Sequence, residues 1–231
     1  MINFDGVSVE VAGSNEPVTI IHNISLSLSE HRIALIGANG SGKSTIARLI
    51  NGLVLPSSGT VTVHTQNGSF DTKQQGRQVR EEVGFVFTDP SAQLVMPTAI
   101  EDVSLSLRRT TKDKKAREAL AFETLAAYGL ETRAHQSVHT LSGGQSQLLA
   151  LASILATKPG VLVADEPTTL LDLKNSILIA KLLLELPQQL IVATHDLELA
   201  AKCDRALWIE DGRVAFDGAP SDAIRHYRES V

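Results

Sequence analysis

Gly37-Ala38-Asn39-Gly40-Ser41-Gly42-Lys43-Ser44 is the stretch around which the rest of this chain is read. A glycine, four residues of free choice and then Gly-Lys-Ser is the spacing of a loop that wraps phosphate groups. Its glycines let successive backbone N–H groups turn toward one centre. Lys43 brings a point charge to the outer phosphates, and Ser44 offers a hydroxyl to Mg²⁺. Arg32-Ile33-Ala34-Leu35-Ile36 before it reads as a buried strand, and Ser44 to Ile50 after it as a helix. Strand, glycine loop and helix in that order are the setting the motif needs, and a tight turn without a ligand is the bland alternative.

The 231 residues suffice for one α/β domain with a small inserted lobe, but not for two nucleotide-binding domains. With 43% hydrophobic and 20% charged residues the composition is that of an ordinary globule, and no apolar run reaches the length of about 18 that spans a bilayer. The opening Ile2-Asn3-Phe4 is strand-like, which predicts neither signal peptide nor anchor. A net charge of −5 argues against a nucleic-acid partner held on a broad basic face. The lone Cys203 cannot form an internal disulfide and reads as a buried thiol in a reducing compartment.

Alternating residues over Ile2 to Leu28, among them Val7, Val9 and Val11, predict β-strands separated by the turn Gly13-Ser14-Asn15-Glu16-Pro17. Thr60 to His64 predicts another strand, and residues 66 to 80 a polar loop with at most a marginal helix. Val83 to Phe87 is a compact apolar strand. From Thr88 to about Thr140 the pattern turns helical, with Phe122, Leu125 and Ala126 expected on one face of a helix from Lys112 to Tyr128. Residues 88–140 are thus the expected helical insertion. Its basic run, Arg108 to Arg117, reads as a solvated helix entry in preference to a membrane- or partner-facing patch. Beyond it helix and strand alternate, which favours a parallel sheet, and Asp211-Gly212 marks a hairpin between Arg205–Glu210 and Arg213–Phe216.

Three further stretches carry chemistry. Leu141-Ser142-Gly143-Gly144-Gln145 opens a helix, so unpaired N–H groups and the positive end of the dipole make a second anion site. One chain has little use for two such sites, whereas a nucleotide held between Lys43 of one copy and Ser142 to Gln145 of another uses both. Val161-Leu162-Val163-Ala164 then buries a strand whose carboxyl end delivers Asp165 and Glu166, where open α/β sheets hold ligands. Asp165 is placed to hold Mg²⁺, directly or through water, opposite Ser44; Glu166 is placed to orient and deprotonate an attacking water. His195 follows the strand Leu190 to Thr194 on the ligand side of the sheet, where an imidazole can bond the γ-phosphate and the water.

Together these stretches resemble the ATP-binding-cassette (ABC) ATPases over essentially the whole chain. The resemblance implies an α/β P-loop NTPase fold: a single ABC domain over residues 1–231, with an N-terminal antiparallel β subdomain and the helical lobe inserted. It makes Gly37, Ala38, Asn39, Gly40, Ser41, Gly42, Lys43, Ser44 and Thr45 the ATP loop and Ser142, Gly143, Gly144 and Gln145 the signature acting in trans. Asp165 and Glu166 become the Walker B end, Thr169 to Asp172 the D-loop and His195 the switch histidine. It implies ATP and Mg²⁺ as cofactors and a head-to-tail dimer around two ATP molecules. Two positions depart from the family. Thr88 stands where a glutamine usually touches Mg²⁺ and water, so only a shorter hydroxyl is available to the metal. Val11 stands where an aromatic ring often stacks on adenine, so weak base discrimination is expected, with about 1 kcal/mol of stacking missing.

Thr88-Asp89-Pro90-Ser91-Ala92-Gln93-Leu94-Val95-Met96-Pro97-Thr98, followed by Glu101-Asp102-Val103, resembles the energy-coupling-factor (ECF) transporter ATPases. That resemblance implies ATP hydrolysis driving uptake of a vitamin or metal ion, with a lean toward biotin. It also implies a transmembrane coupling protein and a substrate-binding membrane protein as partners, and a peripheral place on the cytoplasmic face of the membrane. The end of the chain at Val231, without a regulatory extension, suits this group. A soluble ABC ATPase of a cytosolic assembly system such as iron–sulfur cluster biogenesis is the alternative. Cargo, direction of transport, and homodimer against a pairing with a related ATPase are left open.

Overall fold

The computed structural model describes residues 1–13 and 16–230, so two residues of the turn expected over 13–17, Ser14 and Asn15, lie outside the described residues. In chain order the elements are β1 (Ile2–Val11), β2 (Val18–Leu28), β3 (Arg32–Ile36), α1 (Lys43–Asn51), β4 (Ser58–Thr65), β5 (Gly68–Asp71), α2 (Gly76–Glu82) and β6 (Val83–Val86). They continue as α3 (Ala99–Ser106), α4 (Lys114–Ala127), α5 (Gly143–Leu155), β7 (Val161–Asp165), α6 (Leu173–Glu185), β8 (Gln189–Ala193), α7 (Leu197–Ala200), β9 (Arg205–Glu210), β10 (Arg213–Gly218) and α8 (Pro220–Glu229). The chain divides into two compact units: Met1–Gly84 with Gly160–Glu166 and Leu184–Val231, and Phe85–Pro159 with Pro167–Leu183.

The first unit carries the α/β sheet that the sequence predicts. Strand order is β10-β9-β3-β8-β7-β6, with β3 parallel to both β8 and β9 and β7 parallel to β8. All residues of β3 and β7 are buried, as unbroken apolar runs require when both faces of a parallel strand are covered. The β9–β10 hairpin turns at Asp211 and Gly212, with φ of 44° and 70°, the left-handed pair that a two-residue hairpin loop demands.

A second, antiparallel sheet of the same unit runs β2-β1-β4-β5. In β1 the buried side chains are Ile2, Phe4, Val7 and Val9, and the register shifts between Phe4 and Val7, where Gly6 has a φ of 58°. A bulge there returns Val7 to the buried face, while Val11, expected to continue the alternation, ends 43% exposed. Residues 66–80 are more ordered than their polar composition predicts: β5 pairs with β4 across the Gln66-Asn67 turn, and α2 is anchored by the fully buried Val79. An edge strand needs no apolar run and a short helix needs only one buried contact, so neither left a periodic signature.

The second unit packs α3, α4 and α5 around Val103, Leu107, Leu125, Leu130, Ala134 and Leu149. α4 starts at Lys114, two residues later than expected, because the Asp113 carboxylate accepts from Ala116 N at 2.8 Å and caps it. Its buried face is Ala121 with Leu125; Phe122 and Ala126, placed on that face by spacing, are exposed. The i, i+4 pair that meets the core lies one residue, about 100° of helix turn, away from the one the sequence suggests. Among the described residues no helix is long and apolar enough to cross a membrane.

Candidate nucleotide site

The β3–α1 turn is shaped by three glycines with positive φ. Gly37, Gly40 and Gly42 have φ of 143°, 79° and 109°, and a Cβ on Gly37 would lie 2.2 Å from the Ile209 carbonyl oxygen. Lys43 is 5% exposed, and its ammonium donates to the carbonyls of Gly37 and Ala38 at 2.8 and 2.9 Å. Desolvation lowers its pKa, and the nearby charges of Glu166 and Asp165 act in the opposite direction. A largely buried ammonium whose hydrogen bonds go to two carbonyls is stabilised further by an arriving anion. The buried Ser41 hydroxyl in the same loop has no hydrogen-bond partner. An unsatisfied hydroxyl, a buried ammonium and a glycine turn whose backbone no Cβ shields at Gly37, Gly40 and Gly42 all fit a phosphate chain. Asn39 and Gly40 are exposed at the rim, and Thr45 is half-buried in the first turn of α1.

The end of β7 brings the acids to this loop. Ser44 Oγ donates to Asp165 Oδ1 at 2.6 Å, and Arg48 Nη2 reaches Oδ2 at 3.3 Å, with Asp165 only 1% exposed. Glu166, next along, has a φ of 50°, a left-handed conformation costing a non-glycine residue about 1 kcal/mol or more. Its N–H bonds the Ala193 carbonyl at 2.8 Å, which fixes this turn against the parallel neighbour β8. Two residues beyond Ala193, His195 Nδ1 lies 2.7 Å from Glu166 Oε2, and the His195 backbone N–H donates to the same oxygen at 3.3 Å. Nδ1 is engaged by the carboxylate, and Nε2 takes no part in this contact on a ring whose side chain is 57% exposed. The predicted residues Gly37 to Thr45, Asp165, Glu166 and His195 are therefore gathered in the first unit.

The remaining predicted residues belong to the second unit. Ser142 caps α5 in a reciprocal box: its hydroxyl accepts from Gln145 N at 3.4 Å, and Gln145 Oε1 accepts from Ser142 N at 3.0 Å. Gly143 is exposed and Gly144 buried, and a Cβ on Gly144 would lie 2.4 Å from the Asn175 side chain. Thr88 is half-buried just after β6.

Two residues escaped the sequence reading. Arg48 stands four positions after Ser44, on the same face of α1, so helix spacing alone places it beside the Ser44 partner. Asn175 gives its backbone N–H and its side-chain amide to the two oxygens of Asp172, both at 2.9 Å, and closes on Gly144. Asp172-x-x-Asn175 is a readable helix-start pattern, but its contact with Gly144 is a tertiary fact.

A phosphate cradle after β3, with an acid pair at the end of β7 and a histidine after β8, defines a P-loop nucleotide-binding protein. The family model described as ABC transporter matches residues 21–169, and the chain belongs to that family of ATPases. It is 44% identical over 224 residues to the biotin transport ATP-binding protein BioM of Rhizobium etli, covering 97% of this chain and 95% of the relative. It is 36% identical over 222 residues to the energy-coupling factor transporter ATP-binding protein EcfA1 of Halalkalibacterium halodurans, covering 94% and 78%. Among solved structures, the dimeric ATP-binding cassette MJ0796 in a post-hydrolysis state with ADP and Pi superposes with a TM-score of 0.83 at 30% identity, covering 95% of this chain and 99% of that one. The fold and family expected from the motifs are those found.

Proposed function

We propose that this chain is the ATP-hydrolysing subunit of an ECF-type uptake transporter, with biotin as the cargo toward which the similarity to BioM leans. The observation that carries the ATPase reading is the grouping of Lys43, Ser44, Asp165, Glu166 and His195 within one unit, with Glu166 hydrogen-bonded to His195 at 2.7 Å. Gly37 to Thr45 hold the triphosphate, and Lys43 exchanges two carbonyl partners for phosphate oxygens. Ser44 and Asp165 would hold Mg²⁺; bound there, the metal would neutralise phosphate charge. Glu166 takes the proton of the attacking water while His195 Nε2 senses the γ-phosphate. Ser142, Gly143, Gly144 and Gln145 act on the nucleotide of a second copy, or of a related ATPase.

The chain then works peripherally at the cytoplasmic face of a membrane, beside a transmembrane coupling protein and a substrate-binding membrane protein. A cavity of about 600 Å³ in the second unit, lined among others by Met96, Ile100, Leu105 and Arg117, is the groove we assign to the coupling protein, which turns part of the basic run read as solvated in the sequence toward a partner. Glu166→Gln tests the chemistry. Steady-state turnover should fall by about 10² or more while ATP binding, followed by calorimetry, persists. Near-parental turnover would remove Glu166 from its role.

A further inference from the structure

We infer that Gln93 and Asp102 are positioning residues that pin the segment 93–96 to one face of α5, so that this segment follows the helix when nucleotide engages its Ser142–Gly144 start. The inference rests on the proposed role of that helix start and adds the route by which nucleotide reaches the partner-facing side of the second unit. Gln93 lies in the stretch that resembles the ECF ATPases, and its side chain is committed inward. Gln93 Nε2 donates to the Ala150 carbonyl at 2.9 Å, using the second lone pair of a carbonyl within α5, and Oε1 faces Phe87 N at 3.5 Å.

Asp102 supplies the second pin. It is 4% exposed on α3, and its Oδ1 accepts from the backbone N–H groups of Val95 and Met96 at 2.9 and 3.1 Å. Its Oδ2 accepts from the hydroxyl of Ser153, itself 3% exposed, at 3.0 Å. Ala150 and Ser153 are three residues apart on α5 and therefore share a face. A buried carboxylate serving three donors has little freedom to rearrange, because each broken bond leaves a desolvated group. Between the pins Val95 is 68% exposed, an apolar side chain held at a fixed place on the surface. Ala150 and Ser153 lie eight and eleven residues beyond Ser142, roughly 12 to 16 Å along the helix axis. Displacement of the glycine end of α5 is thus delivered to Val95 without passing through the metal.

The test uses Val95→Cys labelled with an environment-sensitive maleimide. Cys203, the only native cysteine, is buried, and burial pushes its thiol up to about 12, so the dye goes to position 95. In a Glu166→Gln background ATP should change the dye emission. Gln93→Ala and Asp102→Ala should abolish that change while ATP affinity by calorimetry stays at the parental value. Asp102→Asn, whose amide can still accept from the two N–H groups and donate to Ser153, should restore it, which a merely stabilising role would not single out. If Asp102→Ala does not fold, Gln93→Ala decides alone. A parental emission change in Gln93→Ala, or none in the parent although it binds ATP, overturns the inference. Failure of the parent to bind ATP overturns the nucleotide-site reading instead.

Discussion

At the start of α1 three glycines take left-handed backbone angles and wrap a lysine that is 5% exposed, whereas Gly143 and Gly144 lie inside the regular helix α5 behind an ordinary serine cap. Both helix starts are glycine-rich and each follows a strand-like or extended residue, yet they are built for different loads. The first is strained and internally incomplete, with the Ser41 hydroxyl unpartnered and an ammonium surrounded by carbonyls. The second is complete by itself: Ser142 and Gln145 satisfy each other, and Gly144 is required because Asn175 occupies the space of its Cβ. Only Gly143 is unexplained by its own chain, since a Cβ there would meet nothing nearer than 3.8 Å. The difference supports the two proposed roles: a loop that is incomplete until phosphate fills it, and a helix start that is complete in its own chain and open to the nucleotide of a second molecule.

Three substitutions can break or sharpen this contrast. The largest effect belongs to Lys43→Ala, which removes a desolvated charge from the cradle and should lower ATP affinity by about 10² or more, read by calorimetry. Unchanged affinity would remove the α1 loop from the role. Gly37→Ala comes next: with φ at 143° and the Ile209 carbonyl oxygen 2.2 Å from the new Cβ, it should cost about 3 kcal/mol or more in denaturant unfolding. The smallest change in stability is expected for Gly143→Ala, within about 0.5 kcal/mol of the parent, while ATP turnover of the assembled protein falls. Loss of stability there would mean that the glycine serves its own chain, and full turnover would mean that nothing approaches it.

Much of the nucleotide site was legible because its determinants are local. The glycine spacing of residues 37–44, the apolar runs of β3 and β7 and the acids ending β7 each need only a few neighbouring residues to be recognised. The pairing of Glu166 with His195 was half legible: each sits at the end of a buried strand, but their 2.7 Å contact exists because β7 and β8 are parallel neighbours in the sheet. Arg48 was readable in principle from its offset to Ser44. Asn175 was not, since nothing in its neighbourhood announces that it closes on Gly144. The misplaced face of α4 has a similar origin. Phe122 looks like a core residue by type, yet the core it would have to meet lies against Ala121 and Leu125.

What the amino-acid order determined by itself is the family and its class of chemistry: a glycine-lysine-serine loop, a strand that ends in two acids and a glycine-serine helix start are each recognised from a few neighbouring residues. What only the tertiary structure decided is which side chains meet. Gln93 turned inward to α5, Asp102 serving Val95, Met96 and Ser153 at once, and Gly143 left bare while Gly144 is filled all depend on elements far apart in the chain. Hydrogen bonds and excluded volume act over a few ångströms, and only folding brings such distant residues within that range.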